Sequence, residues 1–195
     1  MASIVSDKEA MQLIQSAQRA DTRALARLYD LYAERVFRFV HARVSEAPTA
    51  EDLASDVFVS IVEKLEAFQP GPGGAAASLT AWIFTIARNR VIDHHRQTAR
   101  RPTGELPDEE TDDLLPANFH FPEPNVENVN LMQAIQRLTE EQQSVILLRF
   151  QQDLTFAQSA RTLAKSEEAV KAMHRRALAS LARFLVEPTQ AGGSA

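Results

Sequence analysis

The sequence predicts an all-α protein with two small helical domains, a four-helix N-terminal domain and a C-terminal helix-turn-helix domain, joined by an acidic flexible linker. Six glycines and two tyrosines among 195 residues leave little material for a sandwich or a barrel. Apolar residues instead recur at three- and four-residue steps, the period of an amphipathic helix. We expect the domains at residues 8–102 and 130–187, with the linker at residues 103–129.

The N-terminal domain is expected to contain four helices. They span Met11–Ala20, Thr22–Val44, Thr49–Leu65 and Ser78–Arg100. Thr49 is a suitable N-cap for the third helix, because its hydroxyl can accept a hydrogen bond from a free backbone N–H. Prolines and glycines interrupt helices, so Gln69–Gly74 is predicted to be a loop. Pro102 is expected to end the fourth helix.

The linker carries most of the negative charge. Residues 103–130 contain eight acidic residues, no lysine or arginine, and five prolines or glycines. Because no helical period continues through them, we expect an extended and mobile segment. Residues 1–102 carry 13 basic and 12 acidic residues, and residues 131–195 carry eight and six. The net charge of −5 is therefore compatible with nucleic-acid binding by either domain.

Several classes of function are excluded by what the sequence lacks. Without cysteine there is no disulfide, thiolate metal site or cysteine nucleophile. No N-terminal signal and no apolar stretch of about 20 residues is present, so we expect a cytoplasmic protein without membrane insertion. A phosphate loop and a serine elbow are also missing, so we expect neither an enzyme nor a cofactor. His94 and His95 point about 100° apart on a helix, and we expect no metal there.

A helix-turn-helix is predicted near the C-terminus. The expected helices of this domain span Leu131–Leu138, Glu140–Phe150, Thr155–Leu163 and Ser166–Leu185. Thr155 with Gln158 forms a capping box, and Ser166 is a good cap for the last helix. In that helix Val170, Leu178 and Leu181 are expected to face the core. Its basic residues, Lys171, Arg175 and Arg176, project elsewhere, either into a DNA major groove or as a solvated stripe on a simple helical hairpin.

A second basic segment lies at the end of the N-terminal domain. Five arginines and one aspartate occur between Arg88 and Arg101. Aromatic rings beside arginines suit single-stranded nucleic acid, because bases stack on the rings while the arginines neutralise the backbone. Trp82 and Ile86, one helical turn apart, are nevertheless expected to pack in the core.

Four motifs follow one another along the chain. They are Ala50–Phe58, Ala81–Asp93 with Arg96, Leu138–Arg149, and the helix-turn-helix. In this order they closely resemble the extracytoplasmic function (ECF) sigma factors of the sigma-70 family, over roughly residues 24–101 and 131–185. The resemblance implies a bacterial sigma factor, which directs core RNA polymerase to specific promoters and initiates transcription. It implies the polymerase core (β′ clamp helices and β flap), promoter DNA and an anti-sigma factor as partners.

The resemblance also implies a role for individual residues. The residues implied to dock on the β′ clamp helices are Glu51, Asp52, Asp56, Val57 and Phe58. Those implied to capture and melt the −10 element are Phe68, Ser78, Arg88, Asn89, Arg90 and Arg96. Those implied to read the −35 element are Ser166, Lys171, Ala172, Arg175 and Arg176. The linker would pass through the polymerase channel near the active site, its acids following the path of RNA.

Some positions depart from the family pattern. Thr49 stands where an aspartate is common, and we interpret it as a helix cap rather than a phosphorylation switch. The Gly- and Pro-rich loop, Ala172 and Met173 leave the base preferences open. The alternative function is a sigma-like decoy that binds an anti-sigma factor without binding DNA. Such a decoy would be expected to lose the basic residues that this chain retains, among them Arg88 and Arg175.

Overall fold

The computed structural model describes residues 5–44, 46–100 and 129–186. Within these ranges every regular element is a helix, which confirms the all-α prediction. The chain forms two compact units, Met1–Pro122 and Glu123–Ala195. The predicted linker at residues 103–129 lies outside the described residues, except for Val129, where the fifth helix begins.

The N-terminal unit contains four of the described helices. They are α1 (Asp7–Gln18), α2 (Thr22–His41), α3 (Ala47–Leu65) and α4 (Ala75–Arg100). α1 begins before its predicted start at Met11, because Ser6 and Glu9 form a capping box. The Ser6 hydroxyl accepts the Glu9 N–H at 3.2 Å, and the Glu9 carboxylate accepts the Ser6 N–H at 3.2 Å. This box fixes the position at which the helix starts.

Two further predicted helix starts, those of α3 and α4, were wrong. α3 begins at Ala47, so Thr49 lies within its first turn and is not the N-cap. Pro48 suits this start because the first helical N–H groups have no intrahelical partner, so the missing proline N–H costs little. The Thr49 hydroxyl instead donates to the Glu46 carboxylate at 3.4 Å. α4 begins at Ala75, so Ser78 also lies inside a first turn.

Aromatic side chains form the centre of the N-terminal core. Phe39 of α2 packs edge-on against Phe84 of α4, with ring centroids 5.2 Å apart. The buried Tyr32 hydroxyl lies 2.8 Å from the Thr80 hydroxyl. Thr80 itself donates to the Ala76 carbonyl, so Tyr32 is the donor in this pair. Burial raises the pKa of Tyr32, which keeps the phenol neutral and able to donate.

The C-terminal unit contains the other four described helices. They are α5 (Val129–Gln136), α6 (Glu140–Phe150), α7 (Phe156–Leu163) and α8 (Glu167–Val186). Its core includes Leu147 and Leu148 from α6, and Val170 and Leu181 from α8. The predicted inward position of Leu178 was wrong, because its side chain is 39% exposed. Ala177, one residue earlier, is fully buried in its place.

Candidate nucleic-acid interface

One face of α3 is acidic and exposed. Glu51 and Asp52 are exposed at the start of the helix, and Asp56 is half-buried one turn later. Val62, six residues after Asp56, is 56% exposed and points about 120° away from Asp56 around the helix. The carboxylates at the start of this helix suit a basic protein partner.

Val57 and Phe58 do not belong to that face. Val57 is fully buried and Phe58 is 7% exposed, so both side chains belong to the core of the N-terminal unit. The Phe58 ring packs on Tyr29 of α2 with the ring centroids 4.6 Å apart. The physical reason is the helical period: these positions point about 100–200° away from Asp56.

Arg90 joins α4 to the acidic helix. Its guanidinium donates to the Ser60 hydroxyl at 3.0 Å and lies 3.8 Å from the Asp56 carboxylate. The ion pair is almost half exposed, so it contributes about 1 kcal/mol at most. The structure therefore brings together one residue from the predicted polymerase set and one from the predicted −10 set.

The other predicted −10 residues of α4 are distributed around the helix. Asn89 is exposed, Arg88 is half-buried, and Arg96 is exposed 3.9 Å from the Asp93 carboxylate. Arg88 and Asn89 are neighbours in sequence, so their side chains diverge by about 100°. Asn89 and Arg96 are seven residues apart and share a face. Asn89 thus presents an amide to solvent on the surface that also carries Arg96.

The segment between α3 and α4 has a defined shape. We call residues 66–74 the α3–α4 loop. Phe68 is buried, and its ring packs against Trp82 with the centroids 4.6 Å apart. Because the Phe68 ring is buried against Trp82, it is not exposed for stacking on a base. The Ser78 hydroxyl accepts the Gly71 N–H and donates to the Gly71 carbonyl, both at 3.1 Å. These two hydrogen bonds connect Gly71, in the middle of the loop, to the first turn of α4.

The helix-turn-helix is formed by α7, a short turn and α8. The predicted capping box is confirmed, because the Gln158 N–H donates to the Thr155 hydroxyl at 3.2 Å and the Gln158 amide oxygen accepts the Thr155 N–H. Ala164 takes the left-handed conformation at φ 51°, where glycine is more usual. The predicted cap at Ser166 is also confirmed, since its hydroxyl accepts the Ala169 N–H at 3.2 Å.

The exposed face of α8 carries the predicted −35 residues. Lys171, Arg175 and Arg176 are exposed, and Ala172 lies between them, half-buried. The Lys171 ammonium is bound to the Glu167 carboxylate at 2.7 Å, and this contact raises the pKa of Lys171. Met173 is buried and belongs to the core instead. Of the five predicted −35 residues, Ala172 alone lacks a polar side chain.

His174 is a feature that the sequence analysis missed. Its ring lies between those of Phe150 and Phe156, with centroid distances of 5.6 and 5.3 Å. The Arg149 guanidinium is 4.4 Å from the centre of the Phe156 ring and donates to the Leu154 carbonyl. Burial, and then the Arg149 charge, lower the pKa of His174. The three aromatic residues come from three helices, so no local sequence pattern reveals the stack.

Two family models match the units described above. Sigma-70 region 2 matches residues 28–101, and Sigma-70 region 4 matches residues 134–183. The first range holds most of α2 and all of α3 and α4, and the second holds α7 and most of α8. Together they define an RNA polymerase sigma factor, a class of protein that acts in transcription initiation.

Relatives identify the group within this class. The chain is 37% identical over 143 residues to the ECF RNA polymerase sigma factor RpoE of Cereibacter sphaeroides, covering 72% of this chain and 74% of that protein. It is 35% identical over 178 residues to the ECF RNA polymerase sigma factor BldN of Streptomyces coelicolor, covering 90% of this chain. The match spans 65% of the length of BldN. The chain belongs to the extracytoplasmic function sigma factors of the sigma-70 family.

A solved structure shares the fold. The sigma factor RpoE of Bartonella quintana, in complex with the anti-sigma factor NepR, is 22% identical, with a TM-score of 0.64 over 82% of this chain and 95% of that chain. None of the described helices is long and apolar enough to cross a membrane. Across the same ranges, no three His, Asp or Glu side chains cluster as metal ligands.

Proposed function

We propose that this chain binds core RNA polymerase, carries it to specific promoters and opens them there. The C-terminal unit recognises the −35 element through α8, and the N-terminal unit melts the −10 element. The process involves no covalent step by the sigma factor, and it takes place in the cytoplasm, where polymerase and promoter meet. The observation that supports it most directly is the capped helix-turn-helix whose second helix exposes Lys171, Arg175 and Arg176.

Polymerase docking is assigned to the acidic face of α3. Glu51, Asp52 and Asp56 supply the negative charge for the β′ clamp helices, and Val62 supplies an apolar contact. Val57 and Phe58 act indirectly, because they hold the helix from the core side. The C-terminal unit is the expected contact for the β flap.

The −10 element is assigned to α4 and the α3–α4 loop. Asn89 and Arg96 contact the melted strand on one face of α4, while Arg88 and Arg90 neutralise phosphates. Ser78 shapes the loop that takes up an extruded base, and Phe68 supports Trp82 beside it. Ser166 and Ala172 complete the −35 surface on α8. The linker residues would follow the RNA path in the polymerase.

An anti-sigma factor is the expected regulator. The Bartonella quintana protein that shares this fold forms a complex with one. Such a partner would cover the surfaces that polymerase and DNA use. A decoy function is disfavoured because the basic and amide side chains of both proposed DNA surfaces are present and largely exposed.

Promoter recognition can be tested with two variants of α8. Holoenzyme carrying Arg175→Ala with Arg176→Ala is expected to lose −35 binding, since each contact contributes about 1–3 kcal/mol, or roughly 5- to 150-fold. Arg183→Ala is the matched control, because Arg183 is basic and lies on the same helix, but about 11 Å further along its axis from Arg176. Promoters are identified by sequencing transcripts after overexpression, and occupancy is measured by footprinting. Unchanged occupancy in the double variant would contradict the assignment.

Promoter opening can be tested separately at α4. Asn89→Ala is expected to slow opening while closed-complex binding stays near the wild-type level, because Asn89 contacts only the melted strand. Permanganate reactivity of the −10 thymines measures the open complex, and footprinting measures the closed one. A chain that captures an anti-sigma factor but forms neither complex would be a decoy.

A further inference from the structure

α1 reaches both ends of the α3–α4 loop, although it lies before the matched region at residues 28–101. At its C-terminal end, the Gln18 side-chain amide donates to the Phe68 carbonyl at 2.8 Å and to the Leu65 carbonyl at 3.1 Å. The Leu65 carbonyl is the last of α3 and also accepts the Phe68 N–H at 3.0 Å, whereas the Phe68 carbonyl belongs to the loop. Gln18 therefore caps α3 and fixes the first residues of the loop.

The other end of α1 holds the last residues of the loop. The Asp7 carboxylate accepts the Ala76 N–H at 3.0 Å, so a residue of α1 caps α4 across 69 positions of sequence. Gly74 passes directly beside this carboxylate with φ +99°, and a Cβ atom there would lie 2.3 Å from Asp7 Oδ2. Any other residue would displace the Asp7 carboxylate and would also be strained at this positive φ. Asp7 therefore sets where the loop enters α4.

α1 thus connects the two ends of the loop with a rigid element. Its 12 residues span about 18 Å as a helix. Between the two ends, Ser78 fastens Gly71 to α4. The loop that is rich in proline and glycine is therefore held at three points, two of them by α1.

We infer that Asp7 and Gln18 are positioning residues for base selection at the −10 element. This inference rests on the proposed function, in which the loop takes up an extruded base. A pocket discriminates between bases only when its walls keep their shape, since a wall displaced by about 1 Å loses the geometry on which discrimination depends. Neither residue needs to touch DNA, because each acts through the backbone of the loop.

The test uses full-length protein in holoenzyme and four promoter templates that differ only at the most discriminated −10 base. The selectivity ratio is the opening rate on the best template divided by that on the worst. Asp7→Ala and Gln18→Ala are each expected to lower this ratio roughly fivefold, as for the loss of one helix cap. Asp7→Asn keeps an acceptor oxygen and is expected to stay within about twofold of wild type. Gln15→Ala, an exposed glutamine on the same helix, is the control for Gln18→Ala.

The controls separate this inference from the proposed function. Ser78→Ala alters the loop without touching α1. If Ser78→Ala lowers the ratio and both α1 variants leave it unchanged, the positioning role is refuted and the proposed function stands. If Ser78→Ala also leaves opening and selectivity unchanged, the role of the loop fails, and the inference fails with it. An equal fall in rate on all four templates, with a lower unfolding temperature, would refute positioning in favour of a purely structural role.

Discussion

Substitution of Phe58 tests whether this side chain stabilises the core of the N-terminal unit or contacts polymerase directly. We expect Phe58→Ala to destabilise the N-terminal unit, because the side chain is only 7% exposed and its ring packs 4.6 Å from that of Tyr29. Truncating a buried phenylalanine costs about 3–5 kcal/mol. A typical domain is stable by about 5–15 kcal/mol, so this one change removes a large share. The substitution would also remove the ring that packs on Tyr29. Burial, and then the Asp30 charge, raise the pKa of Tyr29 to about 12.

The chain contains a single tryptophan, Trp82, so unfolding can be followed by tryptophan fluorescence. Trp82 packs on Phe68 inside the N-terminal unit, so its fluorescence during urea unfolding reports on that unit alone. With a slope of about 2 kcal/mol per molar, Phe58→Ala is expected to lower the midpoint by about 2 M. Phe58→Leu keeps most of the volume and is expected to lower it by less than about 1 M.

Val62→Ala is the matched control for Phe58. Its side chain is 56% exposed, so stability should change by less than about 0.5 kcal/mol, while polymerase affinity falls. The opposite pattern would refute the reasoning. A Phe58→Ala protein that unfolds at the wild-type urea concentration and yet binds polymerase weakly would make Phe58 a direct contact.

Two further predictions concern the C-terminal unit. Because burial and Arg149 lower the pKa of His174, the unfolded chain binds this proton more readily, and stability is expected to fall as the pH drops below about 6.5. Thermal unfolding followed by circular dichroism should show that the unfolding temperature depends less on pH in His174→Gln than in the wild-type protein. An equal pH dependence in the two proteins would contradict the role of His174. Ala164→Gly is expected to raise stability by about 1 kcal/mol, since Ala164 holds φ 51°. Ala182→Gly, at an exposed helical position, is the control and should lower the stability by about 1 kcal/mol. A lower unfolding temperature for Ala164→Gly would contradict the proposed strain at Ala164.

Helix ends that depend on nearby residues could be predicted from the sequence. Thr155, Gln158 and Ser166 were assigned as caps, and each makes the expected hydrogen bond. Such bonds join residues about three positions apart, so the sequence contains all the groups involved. The all-α class could be predicted for a similar reason, because the apolar period is a local property.

Helix ends that depend on distant residues could not be predicted. α4 begins at Ala75 because the Asp7 carboxylate accepts the Ala76 N–H, and nothing between residues 69 and 78 indicates this partner. Gln18 likewise caps the C-terminal end of α3, because its side-chain amide donates to the Leu65 carbonyl. Both contacts exist only after α1 has packed beside the other helices. The start of α4 predicted from the sequence, Ser78, is therefore three residues too late.

The same distinction applies to the docking motif. The segment Ala50–Phe58 supports membership of the family as a unit, yet its side chains divide between surface and core. Asp52 and Asp56, one helical turn apart, reach solvent, whereas Val57 and Phe58 point into the domain. A family motif includes two kinds of residue. Some bind the partner directly, and others pack in the core and support the helix that binds it. Exposure separates the two cases, which is why we assign the proposed polymerase contact to the exposed carboxylates rather than to Val57 and Phe58.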